Sequence, residues 1–203
     1  MGRKDKKGDT EMTLMPRLDP NEIEYFTQFM GNKAPDTKMV EWGSGGSTLM
    51  FLPYFESGKF VSIEHNREWY EKVNDSIETI PWTPRILGNF TYCWRPPSYQ
   101  GQHVDLRFYG YGVPHEENPC FMSDYINPEE SGVKVFDADV FFVDGVCRGA
   151  ILATIRAIAS NPNAAVFIHD YYGLENREEW YLWASKLYKR IEKVGDTLAR
   201  LYL

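Results

Sequence analysis

Of the 203 residues only three are cysteines, Cys93, Cys120 and Cys147, and no two of them form a C-x-x-C pair. An odd number at wide spacing argues against a disulfide framework or a zinc site and predicts reduced thiols in an intracellular, cytoplasmic protein. Long apolar runs are missing as well: none approaches the ~18 residues that span a bilayer, so a soluble chain with no membrane contact is expected. Positive charge is in deficit, 22 Lys and Arg against 29 Asp and Glu, for a net charge of -7. Phosphate contacts supply much of the affinity for DNA or RNA and need a basic surface, so a nucleic-acid partner is disfavoured and a neutral small molecule or glycan fits better. The opening Met1-Gly-Arg-Lys-Asp-Lys-Lys-Gly8 lacks the apolar core of a secretory signal. Residues 1–18 read as a disordered lead or linker, or as the start of a domain cut from a longer polypeptide, and 19–203 as one domain. No internal repeat or low-complexity tract is visible.

What is present is enough apolar sequence, 43% hydrophobic and 15% aromatic, for one sizeable core. The most informative stretch is Met39-Val-Glu-Trp-Gly-Ser-Gly-Gly-Ser-Thr48, followed by Phe60-Val-Ser-Ile-Glu64. An apolar strand delivers Glu41 and then a turn with Gly43, Gly45 and Gly46, where missing side chains let a ligand approach the backbone. Ser47 and Thr48 open a helix. The second strand ends in Glu64, whose carboxylate stands where the vicinal hydroxyls of a ribose lie in a doubly wound α/β domain. The turn also nearly satisfies the G-x-G-x-x-G/A of NAD enzymes, with Thr48 at the last place, so the glycines alone do not decide the cofactor.

E-x-G-x-G-x-S/T on a first strand with an acid ending the second resembles the class I S-adenosylmethionine (SAM) dependent methyltransferases, over roughly Thr37 to the C-terminus. The resemblance implies an α/β, Rossmann-like fold with a mostly parallel sheet and a C-terminal antiparallel hairpin. It implies SAM as cofactor, with the glycine turn against its methionine portion and Glu64 on its ribose. Gly43, Ser44, Gly45, Ser47, Thr48, Glu64 and His65 then form the cofactor-binding set, with Glu41 as an indirect support near the methionine end. His65 also has a simpler reading, as a local structural residue. The string Ser62-Ile-Glu-His-Asn-Arg-Glu-Trp-Tyr70 looks like a subgroup that includes small-molecule and carbohydrate O-methyltransferases.

Along the chain, Asp19 to Met30 carries a helix-start signal with Ile23, Phe26 and Met30 at helical spacing. Strands then alternate with helices: strand 39–42, helix from 47, strand 60–64, helix 67–79 and a weak strand near 85–87. Apolar strands Ala138–Asp144 and Ala164–Asp170 flank a helix Arg148–Ser160, and Glu178–Leu187 supplies the last helix. Alternation of this kind implies a parallel sheet. The C-terminal run reads as two strands turning at Gly195-Asp196, residues that tolerate unusual φ. Between 89 and 136 the pattern breaks into an insertion containing Tyr92, Trp94, Tyr99, Phe108, Tyr109, Tyr111, Phe121 and Tyr125. Rings with polar tips suit a sugar acceptor, although for any single ring packing of the insertion against the sheet is the commoner outcome, because buried aromatics outnumber ligand contacts.

Ligands of open α/β sheets bind beyond the carboxyl ends of the strands, where Asp144 and His169-Asp170 fall. In catechol-type O-methyltransferases, acids at these two strand ends hold magnesium, so the resemblance allows Mg²⁺ or Mn²⁺ on Asp144 and Asp170. An alcohol is a poor nucleophile until its proton is removed. Otherwise Asp144 or His169 is a general base, with Arg148 positioning the acceptor or offsetting charge. The bland alternatives are an N-cap for Asp144, a neighbour's hydrogen bond for His169 and a solvated helix face for Arg148. The expectation is a SAM-dependent O-methyltransferase acting on a sugar or glycan, a deoxyhexose such as rhamnose. The alternatives are a phenolic O-methyltransferase, or a SAM-binding module without turnover.

Overall fold

The structure is a computed structural model that describes residues 14–99, 102–103, 119, 121–172 and 183–203. Its strands are β1 (Lys38–Trp42), β2 (Lys59–Glu64), β3 (Phe90–Trp94), the small pair β4 (Ser98–Tyr99) and β5 (Gln102–His103), β6 (Val140–Val143), β7 (Ala165–Ile168), β8 (Arg190–Lys193) and β9 (Ala199–Tyr202). The helices are α1 (Pro20–Gly31), α2 (Gly46–Phe51), α3 (Arg67–Thr79), α4 (Pro84–Asn89), α5 (Ser123–Ile126) and α6 (Arg148–Ile158). Seven strands form one sheet in the order β3-β2-β1-β6-β7-β9-β8. The pairs from β3 to β7 are parallel, while β9 runs antiparallel to both β7 and β8. This is the expected α/β sheet with its antiparallel C-terminal hairpin.

Period-2 alternation sorts the strands between two cores. Val40, Trp42, Phe141, Val143, Val166 and Ile168 face α6 and Tyr125. Met39, Phe60, Val140, Phe142 and Phe167 face α1, α2 and α3, where Phe26, Phe51 and Val73 meet them. Each buried ring or branched chain contributes roughly 1.5–3 kcal/mol. Glu41 shares the second face with Met39, so the alternation carries a carboxylate into the protein. It lies opposite Ser62 of β2.

Two sequence expectations change. The weak strand at 85–87 is instead the helix α4, because Thr83 caps it, accepting from Ile86 N at 3.3 Å, and Pro84 occupies its first turn. The strand is Phe90–Trp94, paired with β2, so the start of the expected insertion belongs to the sheet. Of the expected last helix, residues 178–182 lie outside the described residues. Residues 14–18, expected in the lead, are packed: Leu18 is buried, and a Cβ on Gly46 would lie 2.1 Å from the Met15 carbonyl carbon.

The C-terminal hairpin is tied to α1 through its capping box. Asp19 Oδ1 accepts from Glu22 N and Glu22 Oε2 accepts from Asp19 N, both at 3.0 Å. The fully buried Glu22 then uses Oε1 to accept from Thr197 N, Thr197 Oγ1 and Leu198 N at 2.8, 2.9 and 2.7 Å. Gly195 is needed for space rather than for its φ, since a Cβ there would fall 2.2 Å from Glu22 Cγ. Glu22→Ala strands these donors, and it should lower unfolding stability in urea by about 3 kcal/mol or more. A loss under 1 kcal/mol would show that the clamp is dispensable.

Candidate functional site

One cleft of about 870 Å³ opens at the carboxyl ends of the strands, at the point where the chain order reverses between β1 and β6. Its floor is the glycine loop 43–46, its far wall Glu64, His65, Asn66 and Trp69, and its near rim Asp144, Gly145, Arg148, His169 and Asp170. Leu14, Met15 and Arg17 line it from the N-terminal segment. Gly43, at φ +88°, must be glycine twice over: an L side chain is strained there, and a Cβ would lie 2.4 Å from Gly145 N.

The glycine loop is held from below and from the side. Glu41, fully buried, accepts from Ser47 Oγ, Thr48 Oγ1 and Ser62 Oγ at 2.6, 2.6 and 2.7 Å. Thr48 Oγ1 in turn accepts from Gly45 N at 2.9 Å. Glu41 and Thr48 therefore stand behind the cleft wall instead of lining it, while Ser47 lines it with its hydroxyl turned inward. Trp69 Nε1 donates to Ser44 O at 2.6 Å, fixing the loop against α3.

Glu64 is buried and lines the cleft. Its Oε2 accepts from Ser44 N and Ser44 Oγ, both at 3.0 Å, and its Oε1 from His65 N at 2.9 Å and Asn66 N at 2.8 Å. A carboxylate offers about four lone-pair sites, so all are engaged by the protein. Ser44 Oγ is also 2.6 Å from Tyr92 Oη, which gives that hydroxyl a second partner when a ligand hydroxyl takes its place on Glu64. His65 Nδ1 lies 3.0 Å from Glu64 Oε1 without hydrogen-bond geometry, and its ring packs edge-on to Tyr125.

At the other rim, Asp144 is not a helix cap: the residue before α6 is Cys147, at φ +53°. Asp144 Oδ1 sits 2.7 Å from His169 Nδ1 and 3.4 Å from Arg148 Nη2. Arg148, expected to position an acceptor or offset charge, or else to lie on a solvated face, is only 7% exposed. Its Nε, Nη1 and Nη2 donate to the carbonyls of Gly145, His169 and Asp144 at 2.6, 2.5 and 3.0 Å, and Nη2 also reaches Asp170 Oδ2 at 3.3 Å. Burial pulls the His169 pKa down, but the hydrogen bond and charge of Asp144, helped by Asp170, raise it on balance. His169 Nε2 is buried 3.9 Å from Glu22 Oε2. One potential ligand atom each of Asp144, His169 and Asp170 lies within 4.8 Å of the others, which a hard cation could bridge, but the guanidinium is already against both acids.

Sequence reasoning missed Asn66, Trp69 and the 14–17 segment. Asn66 was recoverable as the N-cap of α3, accepting from Trp69 N at 3.0 Å. The segment left no local signal, because its place depends on α1 packing. Of the insertion's rings, Tyr92 and Trp94 stand in β3 beside the Glu64 loop, Trp94 donating to His65 O at 3.1 Å. Tyr125 is fully buried core. Phe108, Tyr109 and Tyr111 and the side chain of Tyr99 lie outside the described residues. Cys93 and Cys147 are both buried. No helix among the described residues is long and apolar enough to cross a membrane.

Burial outweighs the three hydroxyls around Glu41 and raises its pKa from 4.5 to about 7. The folded state then holds a proton that the unfolded state releases, so stability falls as pH rises from 4.5 to about 7, by roughly 3 kcal/mol. Glu41→Gln, whose neighbouring hydroxyls can rotate to match an amide, should flatten that part of the urea-unfolding pH profile. An unchanged slope would assign it to another group.

No protein-family model and no curated protein matches the chain. Solved structures do. A methyltransferase-like protein from Silicibacter pomeroyi superposes with TM-score 0.67 at 18% identity, covering 95% of this chain and 90% of the other. A Staphylococcus aureus protein assigned as a caffeoyl-CoA O-methyltransferase gives 0.58 at 13% identity, covering 93% and 85%. A Streptococcus mutans protein assigned as a methyltransferase, in complex with SAH, gives 0.55 at 8% identity, covering 89% and 96%. The chain has the Rossmann-like α/β fold of these proteins.

Proposed function

We propose that the protein is a SAM-dependent O-methyltransferase whose acceptor is a hydroxyl of a sugar or glycan, a deoxyhexose such as rhamnose being the specific candidate. The observation that carries the reading is a single cleft with a glycine loop and a buried strand-end acid, Glu64, on one side and the Asp144–Asp170 rim on the other. The first side suits a nucleoside, through the ribose hydroxyls on Glu64. The second side suits the chemistry. The likeness to methyltransferase structures supports the same class at the level of the fold.

SAM supplies an electrophilic methyl on a cationic sulfur. This chain supplies the base and its setting. Asp144 faces the cleft and is 24% exposed at its side chain, whereas His169 is 5% exposed and turned toward Asp144 and Glu22. Asp144 is therefore the base and His169 its support. The acceptor O–H passes its proton to Asp144 as the oxygen lone pair forms the new C–O bond. The S–CH₃ bond breaks with its electron pair left on sulfur, giving a methyl ether and neutral S-adenosylhomocysteine. The carboxylates around the rim also complement the sulfonium charge before transfer. The acidic chain and the small-molecule character of the subgroup resemblance support a neutral acceptor over nucleic acid.

Calorimetry should show SAM and S-adenosylhomocysteine binding, with NAD inactive. Glu64→Ala should weaken that binding by about 1.5–3 kcal/mol through lost charged hydrogen bonds; NAD binding in place of SAM would overturn the cofactor assignment. Labelled methyl offered with free sugars, glycosides, catechols, small acids and RNA should appear as a stable ether on a sugar. Asp144→Asn should then lower kcat by about 10²–10⁴ with S-adenosylhomocysteine affinity nearly unchanged. Label on catechols alone would transfer the assignment to phenolic acceptors, and firm cofactor binding with no transfer would point to a binding module.

A further inference from the structure

We infer that Arg148 is the resident cation of the acids at the ends of β6 and β7, a positioning residue that holds Asp144 and takes the place a divalent ion would fill. The inference rests on the methyl-transfer reading only for what Asp144 does. Where the cation sits is decided by geometry.

Arg148 stands at the first position of α6, where the helix dipole disfavours a positive charge, and it is only 7% exposed. A cation buried there needs compensation, and it has it from both sides: Asp144 Oδ1 at 3.4 Å and Asp170 Oδ2 at 3.3 Å. The planar fork is also locked in place. Three backbone carbonyls, from Asp144, Gly145 and His169, accept from it at 3.0, 2.6 and 2.5 Å, so the guanidinium cannot swing away without stranding buried acceptors. The residue next to it in one loop, Cys147, and the Asp170 it contacts in the other both have φ of +53°, a conformation that L side chains seldom adopt. Both loops are thus bent to bring backbone oxygens and acids onto one cation.

A divalent ion ligated by the same carboxylate oxygens would share them with this fixed charge, whose Nη2 is 3.4 and 3.3 Å from them, and would meet like-charge repulsion in a partly buried site. It would also compete with the imidazole, whose Nδ1 is already 2.7 Å from Asp144 Oδ1. The Asp144, His169 and Asp170 ligand atoms are near enough together to suggest a metal centre, but their charges are already matched by Arg148. Asp144 keeps its orientation from the chain's own groups.

Mn²⁺ titration followed by electron paramagnetic resonance and calorimetry tests this on the whole chain. Wild type should show no saturable Mn²⁺ site that Asp144→Asn or Asp170→Asn removes. Arg148→Met, confirmed folded by circular dichroism, should bind Mn²⁺ at least about a hundredfold more tightly than wild type, because a like charge a few ångströms away has gone. Arg148→Lys should stay near wild type. A tight wild-type Mn²⁺ site abolished by Asp144→Asn would overturn the inference, and so would a folded Arg148→Met that gains no affinity. If Arg148→Met does not fold, the wild-type and Asp144→Asn titrations decide between the outcomes without it. S-adenosylhomocysteine affinity, measured on the same samples, separates the two readings: its absence would sink the cofactor assignment while leaving the Mn²⁺ result to stand.

Discussion

The site depends on how closely two backbone loops can approach at the centre of the sheet. β1 and β6 are neighbours whose outgoing chains diverge, one to α2 and the other to α6, and this divergence opens the crevice. The loops nevertheless touch at its base. A Cβ on Gly43 would meet Gly145 N at 2.4 Å, and one on Gly145 would meet Tyr125 Oη at 1.8 Å. Three layers are stacked there: the glycine loop, the Asp144–Gly145 bend and the fully buried Tyr125 ring. Any side chain at Gly43 would push the glycine loop away from the rim that carries Asp144, and one at Gly145 would meet Tyr125. The spacing between the glycine loop and that rim is thus set by two missing side chains.

Buried acids do the positioning on every side of this contact, each through a different set of donors. Glu41 holds the glycine loop from beneath by three hydroxyls, Glu64 fixes its edge by the backbone of Ser44, His65 and Asn66, and Glu22 fastens the C-terminal turn. A carboxylate is costly to bury but accepts several hydrogen bonds at once, so it can organise loops that a single amide could not. The rim acids differ. Asp144 and Asp170 are each 24% exposed, and they face cations instead of backbone donors. Exposure and partner type separate Glu22 and Glu41, which only support, from the acids that line the cleft.

The sheet was legible in the sequence wherever apolar alternation ended in a polar residue, as at Met39–Trp42, Phe60–Glu64, Val140–Val143 and Ala165–Ile168. It was misread at 85–94, where Thr83 and Pro84 start a helix and the aromatic strand sits one element later than expected. Spacing also placed Glu41, Glu64, Asp144 and Asp170 near one end of the sheet, but it could not tell lining residues from supports. Thr48, placed by the motif in the cofactor-binding set, stands with Glu41, read as an indirect support, beneath the glycine loop, because the period of β1 sends Glu41 to the helix-covered face. Arg148 was readable as positioning an acceptor, offsetting charge or lying on a solvated face, and only the meeting of two strand-end loops reveals that it is enclosed. Long-range contacts of this kind leave no local pattern.

The same logic couples distant parts of the chain to Asp144. His169 touches Asp144 through Nδ1, while its Nε2 lies 3.9 Å from Glu22. Glu22 in turn belongs to α1 and binds the 197–198 backbone of the hairpin turn, and the segment entering α1 passes over Gly46 at the cleft mouth. A disturbance in the C-terminal turn therefore has a route of two side chains to Asp144. One in the N-terminal segment reaches the glycine loop directly. Under the methyl-transfer proposal such couplings bear on rate more than on binding, because the methyl carbon and the acceptor oxygen must be held in line.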